Sequence, residues 1–289
     1  MRDISLPHDS PGAGESLAGL PQWFTEREVI PLDDNLALVV CHEAMRAVAA
    51  LCRSAAEQAA PVLLTGETGV GKSLLARFIH ASRDPYAPFI SRMTAGLEAA
   101  VLEKWIFGGP DRPLAGSAMV DEARGGMLVL EEMGDLPVRI QQHLLDSWGD
   151  QGRGESQGGP AQWVCTTNLA PRALASPRRM LPEFLERLVR IHIPPLRDRK
   201  RDIPALAAYF SWLATAQEPS RGSLDSLANR LARHAFPGNV RELESLVRLN
   251  ARQDRPPARR AARPGILART IRPSVQADAS AGEESSPSP

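Results

Sequence analysis

Cysteine is scarce in this chain: Cys41, Cys52 and Cys165 are the only three among 289 residues. An odd number at unrelated spacings makes neither a disulfide framework nor a zinc pattern, and fits a reducing cytoplasm. Long apolar runs are missing as well. Each is interrupted within about ten residues, short of the ~20 that span a bilayer, so no membrane association is expected. No basic segment leads into an apolar one at the N-terminus, so no secretory signal is expected either. Charge of one sign is also absent, because 34 Lys and Arg balance 34 Asp and Glu. That balance gives no electrostatic argument for or against nucleic acid as a partner. What the chain does have is 43% hydrophobic residues. Its length suggests about two domains at roughly 150 residues each.

Residues 1–22 are rich in Pro, Gly and Ser without periodicity, and read as a disordered lead-in. From Leu36 to Gln58 apolar positions, among them Met45, Val48, Ala49 and Cys52, recur at helical spacing and predict one helix. Val62-Leu63-Leu64 reads as a short buried strand, and a helix is predicted over Leu74–His80. Further strands are predicted at Met127–Leu130, Gln162–Thr166 and Leu188–Ile193, with a helix opened by Pro137 and running through Trp148. Strands alternating with helices imply an α/β fold with a largely parallel sheet. After Pro194-Pro195 the period is helical throughout, over Ile203–Leu213, Leu224–His234 and Val240–Asn250, which reads as a small all-helical domain. Residues 251–273 then carry seven arginines and one aspartate, and residues 274–289 are acidic and rich in Ser and Pro. The basic then acidic stretch of 251–289 reads as a flexible tail, although its arginines could also clamp nucleic-acid phosphates without sequence preference. His80, His143 and His192 have no partners at metal-ligand spacing and read as structural, and Trp105 and Trp148 are expected to pack against core.

The strongest signal is the run Gly66, Glu67, Thr68, Gly69, Val70, Gly71, Lys72, Ser73, which has the spacing G-x-x-x-x-G-K-[ST] between a strand and a helix. Glycines let successive N–H groups curl toward phosphates, and the following helix adds the positive end of its dipole. Lys72 can neutralise β- and γ-oxygens, and the Ser73 hydroxyl can ligate Mg²⁺. The pattern points to a nucleoside triphosphate, taken as ATP with Mg²⁺. Such a loop needs acids on a nearby strand end, and Glu131-Glu132 close the run Met127–Leu130. Glu131 would stand on the metal side, and Glu132 would polarise an attacking water.

These motifs, with Ile79-His80-Ala81, Pro88-Phe89-Ile90, Ile106-Phe107-Gly108, Gly125–Pro137, Thr167-Asn168, Pro194–Arg199, Arg201–Pro204 and Phe236–Leu243, resemble the AAA+ ATPase domain of sigma-54-dependent transcriptional activators. The resemblance covers roughly Val39 to Leu249. It implies an AAA+ P-loop NTPase with a five-stranded parallel sheet flanked by helices over residues 23–198, and a helical lid over 199–250. It implies cytoplasmic ring assembly, expected as a hexamer, and remodelling of RNA polymerase carrying sigma-54. Asn168 would be the polar sensor near the γ-phosphate, or a strand-end cap. Arg241 would be the lid arginine reaching the nucleotide, or a solvated helical residue. Arg187 matches a subunit-bridging arginine that stabilises phosphate charge in the neighbouring site.

The departures from that pattern bear on function. The family's sigma-contact loop reads Gly-Ala-Phe-Thr-Gly-Ala, whereas the stretch between Gly108 and Gly125 is shorter and offers Leu114-Ala115-Gly116-Ser117 in its place. The metal-side aspartate is Glu131 here. One extra bond of about 1.5 Å separates the two carboxylates, and displacements of that order can cost ~10²-fold in rate. The asparagine expected after the second strand is Met93, which cannot hydrogen-bond the catalytic glutamate usefully. The other expected bridging arginine falls on Leu181, with Arg178 and Arg179 close by. The phosphate cradle is kept while the coupling positions are changed, so nucleotide binding with weak or partner-dependent hydrolysis is expected. No sensing domain is expected ahead of the ATPase region, and no helix-turn-helix can be placed after Asn250, so specific DNA binding is not evident. Three readings follow: an ATP-driven regulator of sigma-54-dependent transcription, a hydrolysis-poor subunit that joins rings of a competent relative, and an ATPase redirected to another target.

Overall fold

The first element among the described residues is an antiparallel hairpin, β1 (Val29–Asp33) with β2 (Leu36–Val39), followed by α1 (Glu43–Glu57). This corrects the single helix expected over residues 36–58. The run Leu36 to Val40 is continuously apolar, so the helical period that begins at Met45 can be extended back across it by mistake. In the chain Ala37, Leu38 and Val39 are buried in the hairpin, and the helix starts where the His42 ring accepts the Ala44 N–H at 3.2 Å. The structure, a computed structural model, describes residues 29–33, 36–108, 118–149, 161–177, 179–215, 231 and 234–253. All of them lie within the unit Met1–Asp254.

Five strands form one parallel sheet: β3 (Val62–Thr65), β4 (Phe89–Met93), β5 (Met127–Glu131), β6 (Gln162–Thr167) and β7 (Val189–His192), in the order β4-β5-β6-β3-β7. Helices α2 (Lys72–Arg83), α3 (Ala99–Phe107), α4 (Met119–Glu122), α5 (Val138–Gly149), α6 (Pro171–Leu174) and α7 (Pro182–Arg187) connect them. Side chains alternate along each strand, so one run supplies two cores. Val62, Leu64, Val129 and Val164 pack with α1 and α2 through Met45, Cys52, Phe78 and Ile79. Leu63, Leu128, Leu130 and Trp163 pack on the other face with Leu102, Ile140, Leu144 and Phe184. Each fully buried aliphatic side chain stabilises by about 1.5–3 kcal/mol, which is why these runs become inner strands.

The edge strand β4 was not among the four strands read from periodicity, because its residues are half-buried to exposed along its length. Trp148 is buried, with its ring stacked 5.1 Å from that of Phe184. Trp105 is 45% exposed, which corrects its expected place in the core. Burial pushes the Cys52 and Cys165 thiols up to about 12, so neither is a nucleophile at neutral pH.

Helices α8 (Asp202–Thr215) and α9 (Asn239–Gln253) follow the sheet. Their core joins Ile203, Leu206 and Phe210 to Phe236, Leu243 and Val247, and it also takes in Val29, Ala37 and Val39 of the hairpin. The expected helix over 224–234 falls largely outside the described residues; within it Leu231 is helical and His234 is not. The lead-in of residues 1–22, the stretch 109–117 and the tail from 254 also lie outside them. Among the described residues no helix is long and apolar enough to cross a membrane.

Candidate functional site

β3 runs into the glycine loop and α2 begins at Lys72, so the loop ends at a helix N-terminus, where N–H groups and the dipole favour an anion. Two of the glycines are demanded by neighbours as well as by the turn. Gly66 has φ +152° and a Cβ there would sit 2.8 Å from the Ile193 carbonyl oxygen. Gly69 has φ +79° and a Cβ there would collide with the Gly238 carbonyl. Lys72 is 7% exposed; its ammonium donates to the carbonyls of Gly66 at 2.9 Å and Glu67 at 3.3 Å.

The two glutamates at the end of β5 are held differently. Glu131 accepts the Ser73 hydroxyl at Oε2 (3.0 Å) and the Ser91 hydroxyl at Oε1 (2.6 Å). Glu132 sits in the left-handed region at φ +55°, a conformation that costs a non-glycine residue about 1–3 kcal/mol and gathers at functional sites. Its N–H donates to the Thr166 hydroxyl at 3.2 Å. Its carboxylate lies 3.4 Å from the Lys72 ammonium and accepts the Asn168 N–H at 3.1 Å. Asn168 therefore supports Glu132 through its backbone, while Met93, the last residue of β4, is 55% exposed.

The helical part closes over the loop from the other side. Glu67 takes both guanidinium prongs of Arg197, at 2.6 and 2.9 Å, and the Asn239 amide at 3.0 Å. Those hydrogen bonds, Arg197 first, hold the Glu67 carboxyl down at about 2. Asn239 also donates to the Thr68 carbonyl and accepts the Leu196 N–H, and the Val240 N–H donates to the Gly69 carbonyl at 3.0 Å. Arg241, in the first turn of α9, has its Cβ 3.2 Å from where a Cβ on Gly69 would be, so its root stands over the loop and its side chain is exposed.

Of the residues singled out from sequence, Gly66 to Ser73, Glu131, Glu132, Asn168 and Arg241 come together at the C-terminal ends of β3, β5 and β6. Arg187 does not join them. It precedes β7, whose Val189 N–H donates to the carbonyl of Pro61 just ahead of β3, so Arg187 stands at the opposite end of the sheet. Leu181 is half-buried, its N–H held by Gln141; Arg179 pairs with Asp135 at 2.9 Å, and Arg178 lies outside the described residues. Sequence reasoning missed Ser91, Arg197 and Asn239 as parts of the site. The last two stood in quoted runs without a role, and nothing local marks Ser91.

Among the described residues no group of three or more His, Cys, Asp or Glu could hold a metal. A hydroxyl beside one carboxylate is instead the donor set of Mg²⁺ shared with phosphates, and Ser73 with Glu131 supplies it.

Residues 38–193 match the family model of the sigma-54 interaction domain, and residues 197–255 that of the AAA+ ATPase lid domain. The DNA-binding transcriptional regulator NtrC of Azospirillum brasilense is 32% identical over 231 residues, covering 75% of this chain and 48% of that protein. The Nif-specific regulatory protein of Azospirillum lipoferum is 33% identical over 270 residues, covering 87% and 42%. Two crystal structures of NtrX from Brucella abortus share the fold. The complex with ADP gives a TM-score of 0.62 at 24% identity, covering 75% of this chain and 51% of that one. The complex with ATP gives 0.59 at 26%, covering 76% and 54%. The chain spans about half the length of the curated relatives it matches. With the loop, the acidic strand end and the lid in one arrangement, the chain belongs to the sigma-54 interaction domain family and carries the AAA+ ATPase lid that follows it.

Proposed function

We propose that this chain binds ATP with Mg²⁺ and acts as a ring-forming, cytoplasmic regulator of sigma-54-dependent transcription. Residues 23–198 serve as the nucleotide-binding domain and 199–250 as its lid. The observation that carries the reading is the convergence of Lys72, Ser73, Glu131, Glu132 and Asn168 beside the glycine loop. Lys72 balances the β- and γ-phosphates, Ser73 and Glu131 hold the metal, and Glu132, steadied by the Asn168 N–H, orients water. Mg²⁺, when bound, supplies charge neutralisation on the phosphates. Arg241 reaches the nucleotide from the lid. Arg187, too far to serve its own cradle, serves a neighbouring subunit, expected in a hexamer. Transcriptional regulators named among the relatives, and the ATP complex of NtrX, support this reading.

Hydrolysis is weak or depends on a partner. Leu181 stands where the resemblance expects a second bridging arginine, and Arg179 is tied to Asp135. These departures from the resemblance motivate a second reading, in which the chain joins rings of a competent relative and hydrolyses little itself.

Titration with a fluorescent ATP analogue tests the binding. Lys72→Ala removes charge-assisted hydrogen bonds to phosphate and should weaken affinity about tenfold or more. Turnover should stay low across a protein concentration series, and Glu132→Gln should reduce what there is by about 10²-fold or more while affinity holds. Robust turnover by the isolated chain would contradict weak hydrolysis. Capture of sigma-54 polymerase only with a metal-fluoride transition-state mimic supports the activator reading, and no capture in any nucleotide state favours the second.

A further inference from the structure

We propose that Ser91 is a positioning residue for the metal-side carboxylate Glu131, an inference that rests on the Mg²⁺-nucleotide reading of the site. β4 and β5 are paired in parallel with Met93 opposite Glu131. Side chains repeat every second residue along a strand, so Ser91, Met93 and Glu131 share one face. The Ser91 hydroxyl donates to Glu131 Oε1 at 2.6 Å and the Ser73 hydroxyl donates to Oε2 at 3.0 Å. The backbone of Glu131 is pinned as well, its carbonyl accepting both the N–H and the hydroxyl of Thr94 at 2.9 Å.

The two hydroxyls have unequal duties. Ser73 follows Lys72 in the first turn of α2, and its oxygen is the one that turns to a cation at the phosphates. A hydroxyl has one proton to give and two lone pairs, so Ser73 can turn a lone pair to a cation while its proton stays on Glu131, and its oxygen is then shared between the two. Ser91 stands on a strand, away from the loop, and keeps its donor on Oε1 throughout. Glu131 has one more rotatable bond than the aspartate that the family resemblance leads one to expect. An unsupported glutamate would spread its carboxylate over several rotamers. The donor from β4 selects one of them. On this reading the longer side chain is a fitted part of the site, and Ser91 is what fits it.

The test compares wild type, Ser91→Ala, Ser91→Thr and Glu131→Gln with the Ser91→Ala/Glu131→Gln double variant. Two readouts are taken: affinity for a fluorescent ATP analogue in EDTA, and Mn²⁺ affinity of the nucleotide complex by electron paramagnetic resonance. Ser91→Ala should leave the EDTA affinity unchanged and weaken Mn²⁺ binding about tenfold, the worth of a hydrogen bond to a charged acceptor. Ser91→Thr, which keeps the hydroxyl, should restore it. In the Glu131→Gln background the Ser91→Ala change should cost little more, because its effect passes through that carboxylate. Wild-type Mn²⁺ affinity in Ser91→Ala overturns the proposal and leaves the nucleotide reading intact. An equal loss in EDTA overturns it too, since a merely structural role would give that. Absence of nucleotide binding by the wild type instead removes the functional reading on which the proposal rests.

Discussion

The Glu67 carboxylate and the Arg197 guanidinium meet through two parallel hydrogen bonds, 2.6 and 2.9 Å long, that tie the glycine loop to the segment leading into the helical lid. They are 130 residues apart in the chain. Fork-on-fork pairing fixes orientation as well as distance, so this contact sets the angle at which the lid meets the loop. Asn239 completes it by reaching Glu67 and the Thr68 carbonyl from the start of α9.

The pair predicts how lid docking depends on pH. Arg197 and Asn239 hold the Glu67 carboxyl at about 2, below its ordinary 4.5. A depressed carboxylate contributes stability above its unfolded value and loses it as pH falls through the folded one. Docking should therefore be constant at neutral pH and weaken progressively from about pH 4.5 toward 2. Glu67→Gln should flatten that part of the profile. The Glu67 side chain is 44% exposed, so the effect is expected as local opening. Hydrogen exchange at the Val240 amide, which donates to Gly69, measures it.

Gly69→Ala should separate loop from lid. The new Cβ would meet the Gly238 carbonyl, and φ +79° adds strain of about 1–3 kcal/mol. The expected outcome is a lower urea midpoint together with weaker nucleotide affinity. Gly96 has a similar φ of +78° with open space around it, so Gly96→Ala should carry the strain and spare the affinity.

Asp202 and Arg199 form a buried pair beneath the loop, 3.4 Å apart and almost fully shielded. Asp202 also accepts the His42 N–H, and Arg199 donates to the Val70 carbonyl. Burial pushes the aspartate up and the arginine down, and each is opposed by its partner. Removing one charge leaves the other unpaired in a dry site. Asp202→Ala should cost about 3–5 kcal/mol of unfolding free energy by urea titration at neutral pH.

Legibility in the sequence followed distance along the chain. The glycine loop, its lysine and its serine are eight consecutive residues whose spacing is itself the geometry, so the cradle could be read directly. The inner strands β3, β5 and β6 were readable because both of their faces are buried. The hairpin was hidden by apolar residues that run on into α1, and the edge strand β4 by its mixed exposure.

The sequence by itself determined the fold class, the phosphate loop and the acidic strand end, because each is coded in short runs with a fixed period or spacing. Only the tertiary structure decided that Ser91 holds Glu131 across 40 positions, that Arg197 clasps Glu67 across 130, and that Arg187 stands at the opposite end of the sheet from its own cradle. Those relations come from strand order and lid docking, where through-space neighbours are set by packing and leave no periodic trace in the chain.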